Sequence, residues 1–263
     1  MARTEQTGRR HFVAHIDRAG AAAGAEVRWH CDRWVAELVA GDRRALVIGH
    51  VFPLDNAASA QVATDKVATC ALLDAGGVPT VPHRLLDFGT RADPLAAVHE
   101  LAGLPAVLKP HRESGGVDVQ QVTDEPGARA ALAHLRARYR AIAVSPLLPV
   151  QDEYRVVVLD GEVLLVYRKE VAPGEWRHNL RFGARPVLDV DPAAQAATTA
   201  QALRAMSALG LRFASVDVVV VDGGPRVLEV NSGVALEHFS RASERHRALA
   251  ADVYGAAVRA CLA

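Results

Sequence analysis

The chain has 263 residues, half of them hydrophobic, and its 30 Lys and Arg residues equal its 30 Asp and Glu residues. This composition suits one large or two modest globular domains, and the balanced charge removes the simplest argument for a nucleic-acid or membrane-surface partner. The three cysteines are far apart and form no CxxC pair, so neither a disulfide framework nor a structural zinc site is predicted and a reducing, cytoplasmic setting is expected.

Hydrophobic periodicity predicts helices and hairpin strands in a mixed order. The predicted elements are, in chain order, a helix over residues 12–25, strands over 26–50 with a turn at Gly41-Asp42, a helical segment over 59–77, strands PAVLKP and VDVQQV around a polar loop, a helix over 125–141, a strand over 141–150, strands 153–171 with a turn at Asp160-Gly161, a helix over 192–209, a second hairpin over 213–231 and a final helix. Hairpins mixed with separate helices predict an α+β fold rather than a strict βαβ succession.

A lysine at the end of an apolar strand precedes a glycine-containing loop. The strand ends near Lys109, and the loop contains Ser114, Gly115 and Gly116. Glycines let backbone N–H groups approach an anion closely, and a lysine adds positive charge for the same phosphates. Because the lysine precedes the glycines, the segment is neither a Walker motif nor a GxGxxG fingerprint. A phosphate-binding loop and an ordinary polar turn both remain open.

The stretch RVLEVNSG, residues 226–233, carries an acid and an amide on one face of a predicted strand. Side chains at i and i+2 point the same way, so Glu229 and Asn231 present oxygen atoms to one point. A turn at Asp222-Gly224 would bring Asp217 beside them. Such oxygen ligands suit Mg²⁺, and a carboxylate among valines needs a cation or donors. From spacing alone, a solvated strand end followed by a turn is the alternative.

Positive side chains are dense around the first hairpin of the second half. Together with Asn179, they are Arg155, Arg168, Lys169, Arg177 and Arg181. The planar guanidinium suits carboxylates and phosphates, so these residues predict an anion-binding wall, with ordinary surface ion pairs as the alternative. The chain has no GxSxG or HExxH motif, which argues against serine hydrolases and zinc proteases.

Taken in order, these motifs resemble the ATP-grasp carboxylate–amine ligases, in particular the branch that contains the RimK-type glutamate ligases and cyanophycin synthetase. The resemblance runs from about Ser59 to the C-terminus. It rests on DKVATCALLDAGGVPTVP, AVLKPHRESGGVDV, EYRVVVLDGEVLLVYRK with GEWRHNLRFGA, and SVDVVVVDGGPRVLEVNSG. The family implies an α+β ATP-grasp fold with a shortened N-terminal unit (1–58), a central subdomain with the glycine loop (59–143) and a C-terminal subdomain with the metal-binding hairpin (144–263).

The resemblance implies a role for each matching residue. The nucleotide would be bound by Lys66, Lys109, the loop residues Ser114, Gly115, Gly116 and Val117, the adenine hinge residues Ser145, Leu147 and Leu148, and Glu153 at the ribose. Magnesium, with Mn²⁺ as an alternative, would be held by Asp217, Glu229 and Asn231. The acyl phosphate and its carboxylate would face Arg155, Arg177 and Asn179. In this family a carboxylate attacks the γ-phosphate of ATP, and an amine then displaces phosphate from the acyl phosphate.

Two features depart from the family pattern. Ser145-Pro146 replaces the acid usual at the hinge, so recognition of the adenine amino group by a side chain is not expected there. The unit of residues 1–58 is shorter than the usual lead-in domain. Either a second copy or a partner therefore supplies part of the substrate site, or the acceptor is unusual.

The leading hypothesis is an ADP-forming ligase that joins a carboxylate to an amine on an amino acid or a small peptide. Two alternatives are a nucleotide-binding scaffold or regulatory protein without ligase activity, and a kinase that uses the same ATP site. The partners expected are small-molecule or peptide substrates, with no nucleic acid and no membrane.

Overall fold

The computed structural model describes residues 10–222 and 224–263, and its elements include the predicted ones in their order, together with unpredicted elements at 84–87, 94–101, 185–187 and 237–240. The helices are α1 (His11–Ala22), α2 (Ala57–Ala63), α3 (Lys66–Ala75), α4 (Pro94–Leu101), α5 (Glu125–Arg136), α6 (Pro192–Leu209), α7 (Glu237–Ser240) and α8 (Glu244–Leu262). The strands are β1 (Glu26–His30), β2 (Val35–Ala40), β3 (Arg43–Ile48), β4 (Arg84–Asp87), β5 (Ala106–Pro110), β6 (Gln120–Val122), β7 (Ala141–Pro146), β8 (Asp152–Leu159), β9 (Glu162–Glu170), β10 (Arg185–Val187), β11 (Phe213–Val221) and β12 (Gly224–Asn231). Gly223 of the predicted Asp222-Gly224 turn lies outside the described residues, as does the start of the predicted N-terminal unit.

The strands form three sheets in the described part of the chain. Their orders are β1-β2-β3, β4-β7-β5-β6 and β10-β9-β8-β11-β12. Neighbouring named strands run antiparallel throughout. The predicted α+β class is therefore confirmed, because no βαβ succession builds these sheets.

The five-stranded sheet has one apolar face and one face that is divided between an apolar core and polar side chains, which we call the divided face. Val216 and Val218 of β11 pack with Ala202 and Met206 of α6 on the apolar face. On the other face, Phe213 belongs to a core shared with α1, α8 and the first sheet. Beyond that core the same face carries polar side chains, since residues two apart along each strand point the same way.

The N-terminal unit is joined to the end of the chain by buried aromatic packing. The ring of Tyr254 on α8 lies 6.0 Å from Phe12 and 5.9 Å from Phe52. Its hydroxyl donates to the carbonyl of Val234 (2.9 Å), in the segment that follows β12. The three-stranded sheet thus shares its core with the C-terminal part of the fold. In the described residues no helix combines the length and apolar character that crossing a membrane requires.

Both predicted subdomain boundaries fall inside secondary structure. The boundary at 58/59 lies within α2, and the boundary at 143/144 lies within β7. Along its length β7 pairs with β5, from Ala106 opposite Pro146 to Pro110 opposite Ile142. The four-stranded sheet therefore extends to residue 146, and α2 and α3 pack against α6 and β12 of the C-terminal part of the fold.

The helical pattern over residues 59–77 is divided into two helices. Asp65 caps the second helix, because its side chain accepts hydrogen bonds from the backbone of Val67 (3.0 Å) and Ala68 (3.2 Å). A carboxylate at this position satisfies amides that a helix start leaves free. The break places Lys66 in the first turn of α3. The predicted strand VDVQQV is likewise shortened to β6, since Asp118 adopts a left-handed conformation (φ 52°).

Candidate functional site

A cavity of about 2160 Å³ is lined by the four-stranded sheet, the five-stranded sheet and the N-terminal unit. Every residue to which the family resemblance gave a role lines this cavity, whereas Arg168 of the predicted anion-binding wall does not, because its side chain pairs with Asp152 instead. They are Lys66, Lys109, Ser114, Gly115, Gly116, Val117, Ser145, Leu147, Leu148, Glu153, Arg155, Arg177, Asn179, Asp217, Glu229 and Asn231. Segments far apart in the chain therefore meet at one place.

Lys109 is a buried cation on the wall formed by β5. It is only 8% exposed. Burial lowers the pKa of Lys109 to about 8, and the nearby charge of Lys66 acts in the same direction, whereas Glu229 and Glu153 oppose the shift. The ammonium group thus lies where a further negative charge would be favourable.

The first turn of α3 is tied to the loop between β5 and β6. The ammonium group of Lys66 donates to the carbonyl of Glu113 (2.5 Å), and its backbone N–H donates to the carbonyl of His111 (2.9 Å). The ring of His111 contacts the capping carboxylate of Asp65 (2.9 Å). These contacts hold the second cationic side chain against the glycine loop.

Gly116 lets the glycine loop approach the segment after β9. Its φ is +75°, and an added Cβ would lie 2.8 Å from the ring of Phe182 and 3.1 Å from the amide of Asn179. The side-chain oxygen of Asn179 accepts from the backbone of Arg181 (2.9 Å) and caps a 3₁₀ turn over Leu180–Phe182. The loop and this turn therefore meet across the cavity, and a side chain at Gly116 would separate them.

Arg177 is oriented by a neighbouring acid and by an aromatic ring. Its guanidinium donates to both carboxylate oxygens of Glu175 (3.0 and 2.6 Å) and lies 3.8 Å from the ring centre of Phe182. The hydrogen bond from Arg177 lowers the pKa of Glu175 to about 2. The arginine is thus held at the cavity wall by an acid that stays ionised.

Four charged side chains, three of them buried and the fourth partly buried, form a cluster on the divided face of the five-stranded sheet. Asp217 accepts two hydrogen bonds from Arg155, Nε to Oδ1 (2.8 Å) and Nη2 to Oδ2 (2.6 Å). Lys169 lies 2.8 Å from Asp217 Oδ1 and 2.5 Å from Glu153 Oε1. We call Arg155, Lys169, Glu153 and Asp217 the ion quartet. Its two positive and two negative charges balance, as burial requires.

The two acids of the ion quartet differ in their pKa shifts. Burial opposes the charge of Asp217, yet Arg155 and Lys169 together hold its pKa well below the ordinary range. Burial instead raises the pKa of Glu153, and the negative charge of Asp217 adds to this shift, whereas the cationic Lys169 opposes it. Asp217 is therefore the firmly ionised acid of the cluster.

A β-bulge brings the candidate metal ligands together. Asp217 pairs with Glu229 and then Val218 pairs with Val227, so Leu228 is an extra residue on β12. A bulge changes the face to which the following side chains point. Glu229 consequently lies opposite Asp217 and on the same face of the sheet.

The oxygen-bearing side chains at this end of the hairpin suit a hard cation. Ser215 pairs with Asn231, whose side-chain amide donates to Glu229 Oε1 (3.2 Å). In the described residues no group of three or more His, Cys, Asp or Glu side chains has an arrangement that could hold a metal ion. Two carboxylates and an amide fit Mg²⁺ only where further oxygens, such as phosphates, complete the coordination.

The hinge after β7 has fewer free backbone hydrogen-bonding groups for an adenine ring than the resemblance implies. The N–H of Leu147 donates to the carbonyl of Pro105 (3.0 Å), so it is not free for an adenine ring. The carbonyl of Leu148 accepts from Val150 (2.9 Å). Glu153, the predicted ribose contact, is buried and engaged by Lys169, which favours a role within the ion quartet.

Sequence reasoning did not find the wall that the N-terminal unit contributes. Arg10, Asp32 and Trp34 line the cavity, and the Trp34 ring packs on Gly49, where an added Cβ would lie 2.4 Å away. The only available signal was a tryptophan in the turn between two alternating strands. Lys169 was predicted only as a member of the anion-binding wall, without a role of its own.

A family model described as the RimK-like ATP-grasp domain matches residues 63–251. A probable alpha-L-glutamate ligase from Alcanivorax borkumensis is 27% identical over 199 residues, which are 74% of this chain and 64% of the relative. A protein of the same description from Pseudomonas aeruginosa is 28% identical over 191 residues, 71% of this chain and 61% of the relative. The chain thus spans less than two thirds of these relatives.

Solved structures show the same fold. A D-alanine–D-alanine ligase from Bacillus anthracis has a TM-score of 0.63 at 20% identity, covering 79% of this chain and 68% of that one. The D-cycloserine synthetase DcsG has a TM-score of 0.56 at 26% identity, covering 76% of this chain and 71% of that one. With the family match across most of its length, the chain belongs to the RimK-like ATP-grasp family.

Proposed function

We propose that the protein is an ATP-dependent, ADP-forming ligase that joins a carboxylate to an amine on an amino acid or a small peptide. The observation that carries this proposal is the meeting of two buried or tethered lysines, a glycine loop and the Asp217–Glu229–Asn231 group around one cavity. Relatives described as probable alpha-L-glutamate ligases support the amide-forming chemistry. That a second copy or a partner supplies part of the substrate site next to the N-terminal unit stays a prediction.

The chain's own residues have distinct parts in this reaction. Lys66 and Lys109 bind the phosphates, and the loop over residues 114–117 covers them and excludes water. Arg177 and Asn179 orient the carboxylate and bind the negative charge that develops on its oxygen. Mg²⁺ held by Asp217, Glu229 and Asn231 would neutralise the phosphates and keep them in line for transfer.

Product identity tests the ligase proposal. ATP is supplied with a panel of amino acids and short peptides, singly and in pairs, and ADP, phosphate and coupled product are measured. We expect ADP and phosphate only when a carboxylate and an amine are both present. A stable phosphorylated product would identify a kinase, and nucleotide binding without turnover across the panel would favour a scaffold or regulatory role.

Replacement of Lys109 by alanine is expected to weaken ATP binding by about 10- to 100-fold, because a charge-assisted hydrogen bond to phosphate is lost. In the unchanged protein, affinity should fall as pH rises through about 8, where the ligand-free lysine loses its proton. Bound phosphate favours the cationic form, so the sign follows from linkage. Calorimetric titration with nucleotide in a chelator checks both expectations.

Lys109→Arg is the matched control, since it keeps its charge across this pH range. Its affinity should stay level where that of the unchanged protein falls. Equal affinity in Lys109→Ala and the unchanged protein would contradict the phosphate role.

A further inference from the structure

The ion quartet places two cations in direct contact with a carboxylate assigned to the metal. Asp217 Oδ1 accepts from Arg155 and also contacts Lys169, both at 2.8 Å, and Oδ2 accepts from Arg155 at 2.6 Å. The Asp217 side chain is 2% exposed. In this arrangement both of its oxygens are already bound by positive groups.

A free divalent cation would meet strong repulsion at this carboxylate. Two positive charges lie within hydrogen-bonding distance of the atoms that the cation needs, and burial weakens solvent screening. A polyphosphate changes this balance, because its negative charges attract the cation and the surrounding lysines and arginines together. Metal binding is thereby coupled to nucleotide binding.

We propose that Lys169 is a positioning residue that closes the metal site to a free divalent cation and leaves it open to one that arrives with a polyphosphate. The inference rests on the proposed nucleotide and metal site and adds a function to a residue outside it. In the nucleotide-free protein the ammonium group of Lys169 stays in contact with the Asp217 carboxylate. When the nucleotide arrives, Lys169 releases that carboxylate.

The geometry assigns this role to Lys169 rather than to Arg155. Arg155 holds Asp217 through two parallel bonds in a fixed fork, which is the less mobile arrangement. Lys169 is a point charge on a flexible stem, and its shorter contact is to Glu153 (2.5 Å). It can therefore leave Asp217 and still keep a carboxylate partner inside the protein.

The test measures the affinity of the protein for Mn²⁺, the probe ion, by electron paramagnetic resonance in the presence and absence of ADP. The double variant Lys169→Met with Glu153→Gln removes one positive and one negative charge at similar volume, so the buried site stays neutral. We expect the nucleotide-free double variant to bind Mn²⁺ about tenfold more tightly than the unchanged protein. The factor by which ADP strengthens Mn²⁺ binding should shrink by a similar amount.

Arg168→Met is the matched control. Arg168 precedes Lys169 on β9, so its side chain points to the other face, where it lies 3.3 Å from Asp152. Its removal should leave Mn²⁺ affinity unchanged. Circular dichroism and urea unfolding establish that each variant is folded.

Nucleotide-free Mn²⁺ affinity that is unchanged or weaker in the folded double variant would overturn the role of Lys169. Loss of metal binding in every protein, even with ADP, would also overturn it, together with the metal site. Neither measurement needs an acid or an amine substrate. Failure of the ligase proposal, seen as nucleotide and Mn²⁺ binding without turnover, is therefore distinguishable from failure of this inference.

Discussion

Replacement of Glu229 by glutamine is expected to lower turnover by at least about 100-fold while leaving the fold intact. Glu229 lies opposite Asp217 at the bulge of the β11–β12 hairpin and accepts a hydrogen bond from Asn231. Glutamine has nearly the same volume but lacks the negative charge that a divalent cation needs. The measurement is ADP release at saturating ATP and substrates, with urea unfolding as the check on folding.

The loss of the Glu229 charge should affect only the steps that depend on the metal. Nucleotide binding in the presence of a chelator should change little in Glu229→Gln, because the lysines that contact the phosphates are retained. Glu162→Gln, an exposed change on the neighbouring hairpin, should keep full turnover. Turnover of Glu229→Gln near that of this control would refute the metal assignment.

Long periodic elements and tight turns were predictable from local chemistry. The helix expected over residues 192–209 is α6 with the same ends, where Asp191 accepts from the backbone of Ala194 (2.9 Å) and Gly210 adopts a left-handed conformation (φ 62°). The Asp160-Gly161 turn is also confirmed, with positive φ at both residues. Caps and turns are local, so a sequence carries their signals directly.

The two bulges were not predictable, and they decide which side chains reach the site. Counting back from the turn without a bulge would pair Asp217 with Leu228 and direct Glu229 to the opposite face. In the β8–β9 hairpin the register also shifts, so Tyr154 pairs with Arg168 and Lys169 lies beside Glu153. The site residues could be named from their types, but the choice between neighbours depended on register.

Other features depended on long-range packing. The short strands β4 and β10 are held by pairing with β7 and β9, respectively, and four or three residues carry little periodicity of their own. The N-terminal wall is positioned by contacts such as the one between Phe12 and Tyr254. Such packing across most of the chain leaves no local pattern.

Replacement of Asp217 by asparagine is expected to abolish turnover and to lower the free energy of unfolding by about 3–5 kcal/mol. Asparagine keeps the shape of the side chain but removes the carboxylate that binds Arg155 and Lys169. Lys169 retains Glu153, whereas Arg155, whose side chain is 18% exposed, is left as a largely desolvated cation without an acidic partner inside the quartet. Urea unfolding near neutral pH measures the loss.

Matched variants separate the effect of removing the buried charge on stability from the effect of changing the side-chain shape. Adding Arg155→Met to Asp217→Asn should restore part of the stability but none of the turnover, because the remaining Lys169–Glu153 pair is neutral. Asp152→Asn breaks the partly exposed ion pair with Arg168 and should cost only about 0–1 kcal/mol. A loss in Asp217→Asn no larger than in this control would contradict the energetic role of the quartet.

The stability difference between the unchanged protein and Asp217→Asn should depend on pH, because the pKa of Asp217 is depressed. Arg155 and Lys169 outweigh the opposing effect of burial on this pKa. A carboxyl group whose pKa is lower in the folded state contributes stability above its unfolded pKa of about 3.9, and that contribution is lost as pH falls through the folded value. The gap between the unchanged protein and Asp217→Asn should therefore persist in mildly acidic solution and narrow only in strong acid. A gap that closed near neutral pH would require the Asp217 carboxylate to gain a proton there, which two contacting cations oppose.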